Sequence, residues 1–379
     1  MAGYSPYNQD QPAQGPDEYP NPYGNAANGY NPPPQGYTTC YVHQQYTFVQ
    51  GYGFMLPTPE DTERTELSRH SRQLGLSLFI YFLLLLCVKP FASSLTLFIL
   101  RLFSPNFSAN NAVLVSLLWF YPLMLVFPFW MFKHSTGIPT RVALPMRSPR
   151  FGLVLAGTLI LLALTAVGTA VMTALSNALS LVGLYVRQSS IPLPGDIGGI
   201  ALYLINFVLI APILEELVFR GFVMQPLRRY GDGFALIVSS LAFALLHINL
   251  LKLPYAFLCG LCLGYFVLRT GSLIAGMLLH FANNLLLTLG DLFTRNLSPQ
   301  LYTLTQNIML AAFLLLGIIA AVVLVVKNRG MFTVMPSETA LGERAKLGVM
   351  LGSVPMVLIY IATGVMMLTS LAWIGGSAW

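Results

Sequence analysis

Charge is what this chain has least of. Charged residues make up 9% of its 379 positions, against roughly 25% in a soluble globular protein. With 55% hydrophobic residues and a mean hydropathy of +0.67, a water-soluble fold is excluded and a polytopic membrane protein is expected. The basic residues are scattered at the ends of apolar segments, with no stripe that could track a phosphate backbone. Nucleic acid is therefore not an expected partner, and the formal charge of +6 reads as a topology signal. Cysteine is scarce too. Cys40, Cys87, Cys259 and Cys262 imply no disulfide framework. Three of them lie in apolar segments, where a thiol behaves as a small hydrophobe. The Cys259-Gly-Leu-Cys262 pair has no partner pair and reads as packing. The first seventy residues are polar, so no cleavable secretory leader is expected, and Gly-Gly-Ser-Ala-Trp379 carries no lipidation motif.

Residues 1–55 are rich in Pro, Gly, Tyr, Asn and Gln. Such a segment buries too little apolar surface to offset its ordering entropy, and a disordered cytoplasmic tail is expected. Residues 56–74 form a juxtamembrane segment in which the charged stretch Glu60 to Arg72 predicts a short surface helix. Residues 75–379 are the transmembrane domain. Apolar runs long enough to cross about 30 Å of hydrocarbon fall at 75–102, 113–132, 151–178, 198–229, 233–250, 253–269, 271–290, 306–326 and 349–372. The expected fold is an all-α polytopic bundle of about eight or nine transmembrane helices enclosing an intramembrane polar cavity. Lys89-Pro90 predicts a kink or re-entrant bend in the first run.

Basic residues test this count. Lys133, Arg141, Arg147 and Arg150 occupy one loop, Arg228 and Arg229 a second, and Lys327, Arg329, Arg344 and Lys346 a third. Nine spans with a cytoplasmic N-terminus put all three inside. The intervening loops carry only Arg101, Arg187, Lys252 and Arg295. An integral protein of a bacterial cytoplasmic membrane is expected, with the lipid bilayer as its first partner.

Against this background three charges stand together inside an apolar run: Glu215, Glu216 and Arg220. Each costs between about 2.5 and over 10 kcal/mol at membrane depth, so they must pair and do something. Glu216 and Arg220 are four residues apart and meet on one helical face as an ion pair. Glu215 points about 100° away, toward a different neighbour. The turn at Gly231-Asp232-Gly233 divides a helical hairpin, with Glu215 seventeen residues before Asp232 and His247 fifteen after it. Both then lie on the order of 22–26 Å from the turn, at matching depth. His280, roughly 14 Å into its own helix, shares a face with Asn284, as Phe243 does with His247.

Two histidines, two carboxylates and a carboxamide converging between helices suggest hydrolysis. A glutamate in apolar surroundings can serve as general base and then general acid, with a histidine orienting the water. A second histidine and an asparagine can donate to a tetrahedral oxyanion. The set Glu215, His247 and His280 could instead bind zinc, although no HExxH run is present. Two other classes use the same residues: a proton-coupled transporter, which favours repeated halves with broken helices, and a non-catalytic peptide-binding immunity or scaffold protein. Gly260 and Gly264 read as close packing, Asn206 as interhelical glue and Lys252 as a boundary residue. His43, His70 and His134 fall in polar segments and need no special account.

Glu215-Glu216-Leu-Val-Phe-Arg220, Phe243-Ala-Leu-Leu-His247 and His280-Phe-Ala-Asn-Asn284 reproduce in order the patterns EExxxR, FxxxH and HxxxN. In this the chain resembles the CAAX-protease and bacteriocin-processing family (CPBP, also called Abi) of intramembrane endopeptidases, over a core of about residues 198–290. The resemblance implies a helical bundle around a cavity open to the cytoplasm or laterally to lipid, and cleavage of a peptide bond in a membrane-associated protein or peptide. It implies that Glu215 and His247 activate the water, that His280 and Asn284 stabilise the oxyanion, and that Glu216 and Arg220 organise the site. The glutamate-dependent mechanism, with no cofactor, is favoured over zinc.

Overall fold

The computed structural model describes residues 47–49, 53–55, 58–187, 191–334 and 338–373. Ten helices carry the architecture: α1 Pro59–Phe103, α2 Ala109–Ser135, α3 Phe151–Leu181, α4 Ile197–Tyr230, α5 Asp232–Leu245, α6 Lys252–Thr270, α7 Leu273–Thr294, α8 Pro299–Lys327, α9 Glu343–Leu351 and α10 Val354–Thr369. Among the described residues seven helices are long and apolar enough to cross a bilayer, or eight if α9 and α10, bent by 69°, count as one span. The protein is an all-α integral membrane protein. Its few strands form two short antiparallel pairs, β1 Thr47–Val49 with β2 Gly53–Met55 and β3 Leu184–Val186 with β4 Leu371–Trp373. The first pair falls within the expected tail of residues 1–55; the rest of that tail lies outside the described residues.

The charged juxtamembrane stretch does not form a separate surface helix. Thr58 caps α1 in a reciprocal box with Asp61, and the helix runs unbroken into the apolar part. Ahead of Lys89-Pro90 the helix passes through a π-helical turn, Leu84–Val88. Pro90 has no N–H to give to the preceding turn. The ladder shifts instead to the wider spacing, with the Lys89 N–H reaching the Leu84 carbonyl, and the helix continues.

The fifth expected span is the main departure. Residues 233–250 become α5, fourteen residues long and so about 21 Å, short of the hydrocarbon thickness. The chain then leaves the helix at Leu246–Leu251 and re-enters as α6. Irregular backbone at membrane depth survives only where protein covers it or where it lines a wet cavity. Ile248 adds strain, with a φ of +43°, a left-handed conformation that a β-branched residue rarely adopts.

All three basic loops gather at one end of the bundle. Ser272 donates to the Arg147 carbonyl and the Leu273 N–H to that of Pro145 at 2.9 Å. Arg229 pairs with Glu66 at 2.6 Å, and Lys346 donates to the Tyr230 carbonyl at 2.6 Å. The opposite end holds the Asn111–Asp196 contact at 3.2 Å and the β3–β4 pair. That end carries scattered charges such as Asp196 and Arg295, and the concentration of basic residues at the other is the asymmetry that the loop charges predict. His70 needs more account than the sequence suggested. It is buried, and its Nδ1 lies 2.9 Å from the Tyr230 hydroxyl.

The core is formed where α4, α5 and α6 meet, with Phe219, Val223, Phe234, Phe243 and Leu268 buried. Gly260 on α6 lets α5 approach closely: a Cβ there would stand 3.0 Å from that of Ser240. The packing role expected of this glycine is met. Cys259 and Cys262 are free and buried beside it.

Candidate active site

Four helices deliver the site. Glu215 and Glu216 end a six-residue α-helical stretch of α4, Ala211–Glu216, set between two π-helical stretches, Leu204–Ile210 and Leu217–Met224. Arg220 follows in the second of these. Its guanidinium meets Glu216 Oε1 at 3.2 Å, and both side chains are fully enclosed. A second guanidinium nitrogen donates to the Gly260 carbonyl at 2.9 Å, and the group lies 4.8 Å from the centre of the Phe243 ring. The expected intrahelical pair is therefore present, with two further partners that spacing alone did not reveal.

His280 on α7 joins the two glutamates. Its Nδ1 is 3.1 Å from Glu216 Oε1 and its Nε2 is 3.7 Å from Glu215 Oε2. Glu216 is a carboxylate paired with an arginine, so it only accepts, and the Nδ1 proton is fixed on His280. The opposed charges of Arg220 and Glu216 cancel, which offsets part of the penalty for burying ions. At 3.7 Å the Nε2–Oε2 pair is longer than a hydrogen bond, which leaves both atoms able to serve another group.

Glu215 Oε1 has its own partner: the Tyr121 hydroxyl on α2 donates to it at 2.7 Å. No sequence motif includes Tyr121. Glu215 keeps 16% of its side-chain surface accessible, against none for Glu216, so the two adjacent carboxylates occupy different environments, as the helical rotation requires.

His247 follows the end of α5 and is exposed in the irregular segment. Its Nδ1 lies 3.1 Å from the Phe243 carbonyl. In a continued helix that carbonyl would take the His247 N–H, but the N–H turns to Ala244 at 3.2 Å. The ring fills the vacancy. A carbonyl only accepts, so Nδ1 carries the proton and Nε2 presents a lone pair. Among the described residues no hydrogen bond or ion pair joins His247 to Glu215 directly. What connects the two histidines is Phe243, whose ring is edge-on to His247 at 5.0 Å and to His280 at 5.9 Å.

Asn284 also has a structural partner. Its amide donates to the Phe207 carbonyl at 2.9 Å. Phe207 lies in the first π-helical stretch, where each carbonyl looks five residues ahead, and five residues ahead is Pro212, which has no N–H. The Ala211 N–H is already given to Asn206. Asn284 supplies the missing donor and keeps one N–H of its amide for other use. The neighbouring Asn283 takes a hydrogen bond from Thr165 at 2.8 Å, which ties α7 to α3. Gly276 makes room for the ion pair, since a Cβ there would lie 2.8 Å from Glu216 Oε2.

His280 Nδ1 faces Glu216 and His247 Nδ1 faces the Phe243 carbonyl, so each ring turns its Nε2 elsewhere. Among the described residues no three His, Cys, Asp or Glu side chains converge as a metal requires.

Residues 197–286 match the family model described as Rce1-like, Type II CAAX prenyl endopeptidase Rce1-like. The match falls on α4 through most of α7 and includes all three motifs, so the likeness to the CAAX-protease family is found where those motifs lie. No curated protein matches the chain. No solved structure matches it either.

Proposed function

We propose that this protein is an intramembrane endopeptidase that hydrolyses a peptide bond in a membrane-associated protein or peptide. Glu215 takes a proton from water while the Nε2 lone pair of His247 orients that water from the other side. The hydroxide attacks the scissile carbonyl carbon. The oxyanion is met by His280 Nε2–H and by the N–H that Asn284 has to spare. Collapse of the tetrahedral intermediate breaks the C–N bond, and Glu215 returns its proton to the leaving amine. Glu216, paired with Arg220, takes the Nδ1–H and orients the ring; His280 serves the oxyanion as an imidazolium, with a proton on Nε2 as well. The mechanism is of the glutamate type and no step passes through a metal.

The observation that carries this reading is the contact of His280 with both glutamates, 3.1 Å to Glu216 and 3.7 Å to Glu215. It brings an acid–base pair and a charged support together from separate helices, inside the segment that matches an endopeptidase family. The test is cleavage of a membrane-peptide library in liposomes, with product termini read by mass spectrometry. Glu215→Gln should lower turnover by about 10²-fold or more, and Asn284→Ala by about 10²–10³. A Glu215→Gln protein that cleaves like the parent overturns the assignment. Activity lost to a chelator and restored by zinc overturns the metal-free mechanism.

A further inference from the structure

We infer that Tyr121 is a positioning residue for Glu215: its hydroxyl anchors one carboxylate oxygen so that the other is aimed at His280. This rests on the reading of Glu215 as the group that activates water. Tyr121 lies on α2, outside residues 197–286 and outside every motif.

The geometry gives each glutamate its own holder. Glu216 is held by a guanidinium at 3.2 Å, a permanent positive charge. Glu215 is held by a neutral phenol at 2.7 Å, within the range expected for a hydroxyl donating to a carboxylate. A neutral donor fixes direction without bringing a full charge to the carboxylate. A general base needs that combination, because it must gain and lose a proton in each turnover while its oxygen stays in place. The terminal torsion of a glutamate is broad and two-fold, so an unheld carboxylate would swing between Oε1 and Oε2. With Oε1 tied to Tyr121, Oε2 is the oxygen left facing His280 Nε2 at 3.7 Å. A misplacement of about 1 Å at such a site can cost about 10²-fold in rate.

The anchor is itself well set. Tyr121 packs against the buried cluster that includes Tyr81, Phe120 and Phe219. Pro122 follows it and cannot donate to the preceding turn of α2. The ring is thus fixed by packing, and its hydroxyl is directed at Glu215 alone among the described residues.

The experiment compares the parent, Tyr121→Phe, Glu215→Gln and the double variant in liposomes, using the library peptide that the parent cuts fastest. Tyr121→Phe keeps the ring, and thermal unfolding of each variant reports folding. The expected result is a fall in kcat of about 10-fold or more with KM within about twofold, and no further effect of Tyr121→Phe in the Glu215→Gln background. Parental turnover in Tyr121→Phe, or an equal loss in both backgrounds, overturns the inference. Infrared difference spectra of detergent-solubilised protein give a reading that needs no turnover. The carboxylate band lost on Glu215→Gln should move when the phenol is removed; an unmoved band also overturns the inference. Glu215→Gln cleaving like the parent would bring down the proposed chemistry, whereas a silent Tyr121→Phe beside an inactive Glu215→Gln would bring down only the role of Tyr121.

Discussion

Arg220 offers the sharpest test of how this cluster is held. Arg220→Met keeps the apolar stem, which packs along the helix, and removes only the guanidinium. Three contacts go with it: Glu216 at 3.2 Å, the Gly260 carbonyl at 2.9 Å and the Phe243 ring at 4.8 Å. The first dominates. Both partners are fully enclosed, and removing one member of a buried pair strands the other charge, at about 3–5 kcal/mol. The carbonyl bond, whose donor is charged, contributes about 1.5–3 kcal/mol and the ring about 2 kcal/mol when desolvated. If the stranded charge is the main loss, neutralising it should recover much of the stability. Arg220→Met with Glu216→Gln should therefore be more stable than Arg220→Met alone by about 2 kcal/mol, even though it carries one more substitution. The amide oxygen of the substituted side chain would still accept from His280 Nδ1. Reversible unfolding in mixed micelles, titrated with a denaturing detergent, measures both variants against the parent. A double variant no more stable than the single one would refute the charge argument and leave Arg220 as a packing residue.

Two glycines make a contrasting pair. Gly276→Ala places a methyl group 2.8 Å from Glu216 Oε2 and should lower turnover by about 10-fold or more in the liposome assay. Gly264→Ala clashes with the flexible tip of Leu236 at 2.5 Å and otherwise makes ordinary contact, with Met224 Sδ at 3.4 Å and Arg220 Nε at 3.9 Å, and should stay within about threefold of the parent. Overpacking costs about 1–3 kcal/mol, so unfolding of both variants separates loss of the site from loss of the fold. Asn284→Ala leaves the Phe207 carbonyl without its donor and should destabilise by about 1–3 kcal/mol; Pro212→Ala restores a backbone N–H five residues ahead and should return part of that stability, though not the activity.

Much of the bundle was legible because lipid imposes its own period on a sequence. α3, α4 and α6 begin and end within about three residues of the apolar runs that predict them. Where the structure departs, the cause is local backbone chemistry that hydropathy does not register. Residues 246–250, Leu-His-Ile-Asn-Leu, interleave polar and apolar side chains, and the helix stops at Leu245, where the His247 ring takes the Phe243 carbonyl and Ile248 turns left-handed. Pro90 reads as a break in sequence and is absorbed by five residues of π-helix. A proline marks a missing N–H; whether the chain bends or rewinds there depends on the helices packed around it.

The candidate site divides along the same line. Helical spacing sufficed for Glu216 with Arg220 and for the separate direction of Glu215, since both follow from about 100° per residue. The Tyr121 hydroxyl and the Gly260 carbonyl were invisible, because each acts through one polar atom across a helix interface and no spacing within its own helix signals it. Phe243 was visible only as a motif letter. Its ring in fact lies against Arg220, His247 and His280 together.

These contacts have a common source. Arg220, His247 and Asn284 are each held by a backbone carbonyl: those of Gly260, Phe243 and Phe207. A regular helix spends each carbonyl on the N–H four residues ahead. Phe207 is spared that bond by a π-turn ending at a proline, Phe243 by the early stop of α5, and Gly260 has no Cβ to block a second approach. Irregular backbone thus frees two of the three acceptors that orient the site, one inside α4 and one where α5 stops. Straightening one should disorder the side chain it holds and leave the others in place. Pro212→Ala tests this directly: it should loosen Asn284 while His280 keeps both glutamates. If all the site residues shift together, the cluster is held as one body by Phe243, and the carbonyls are incidental.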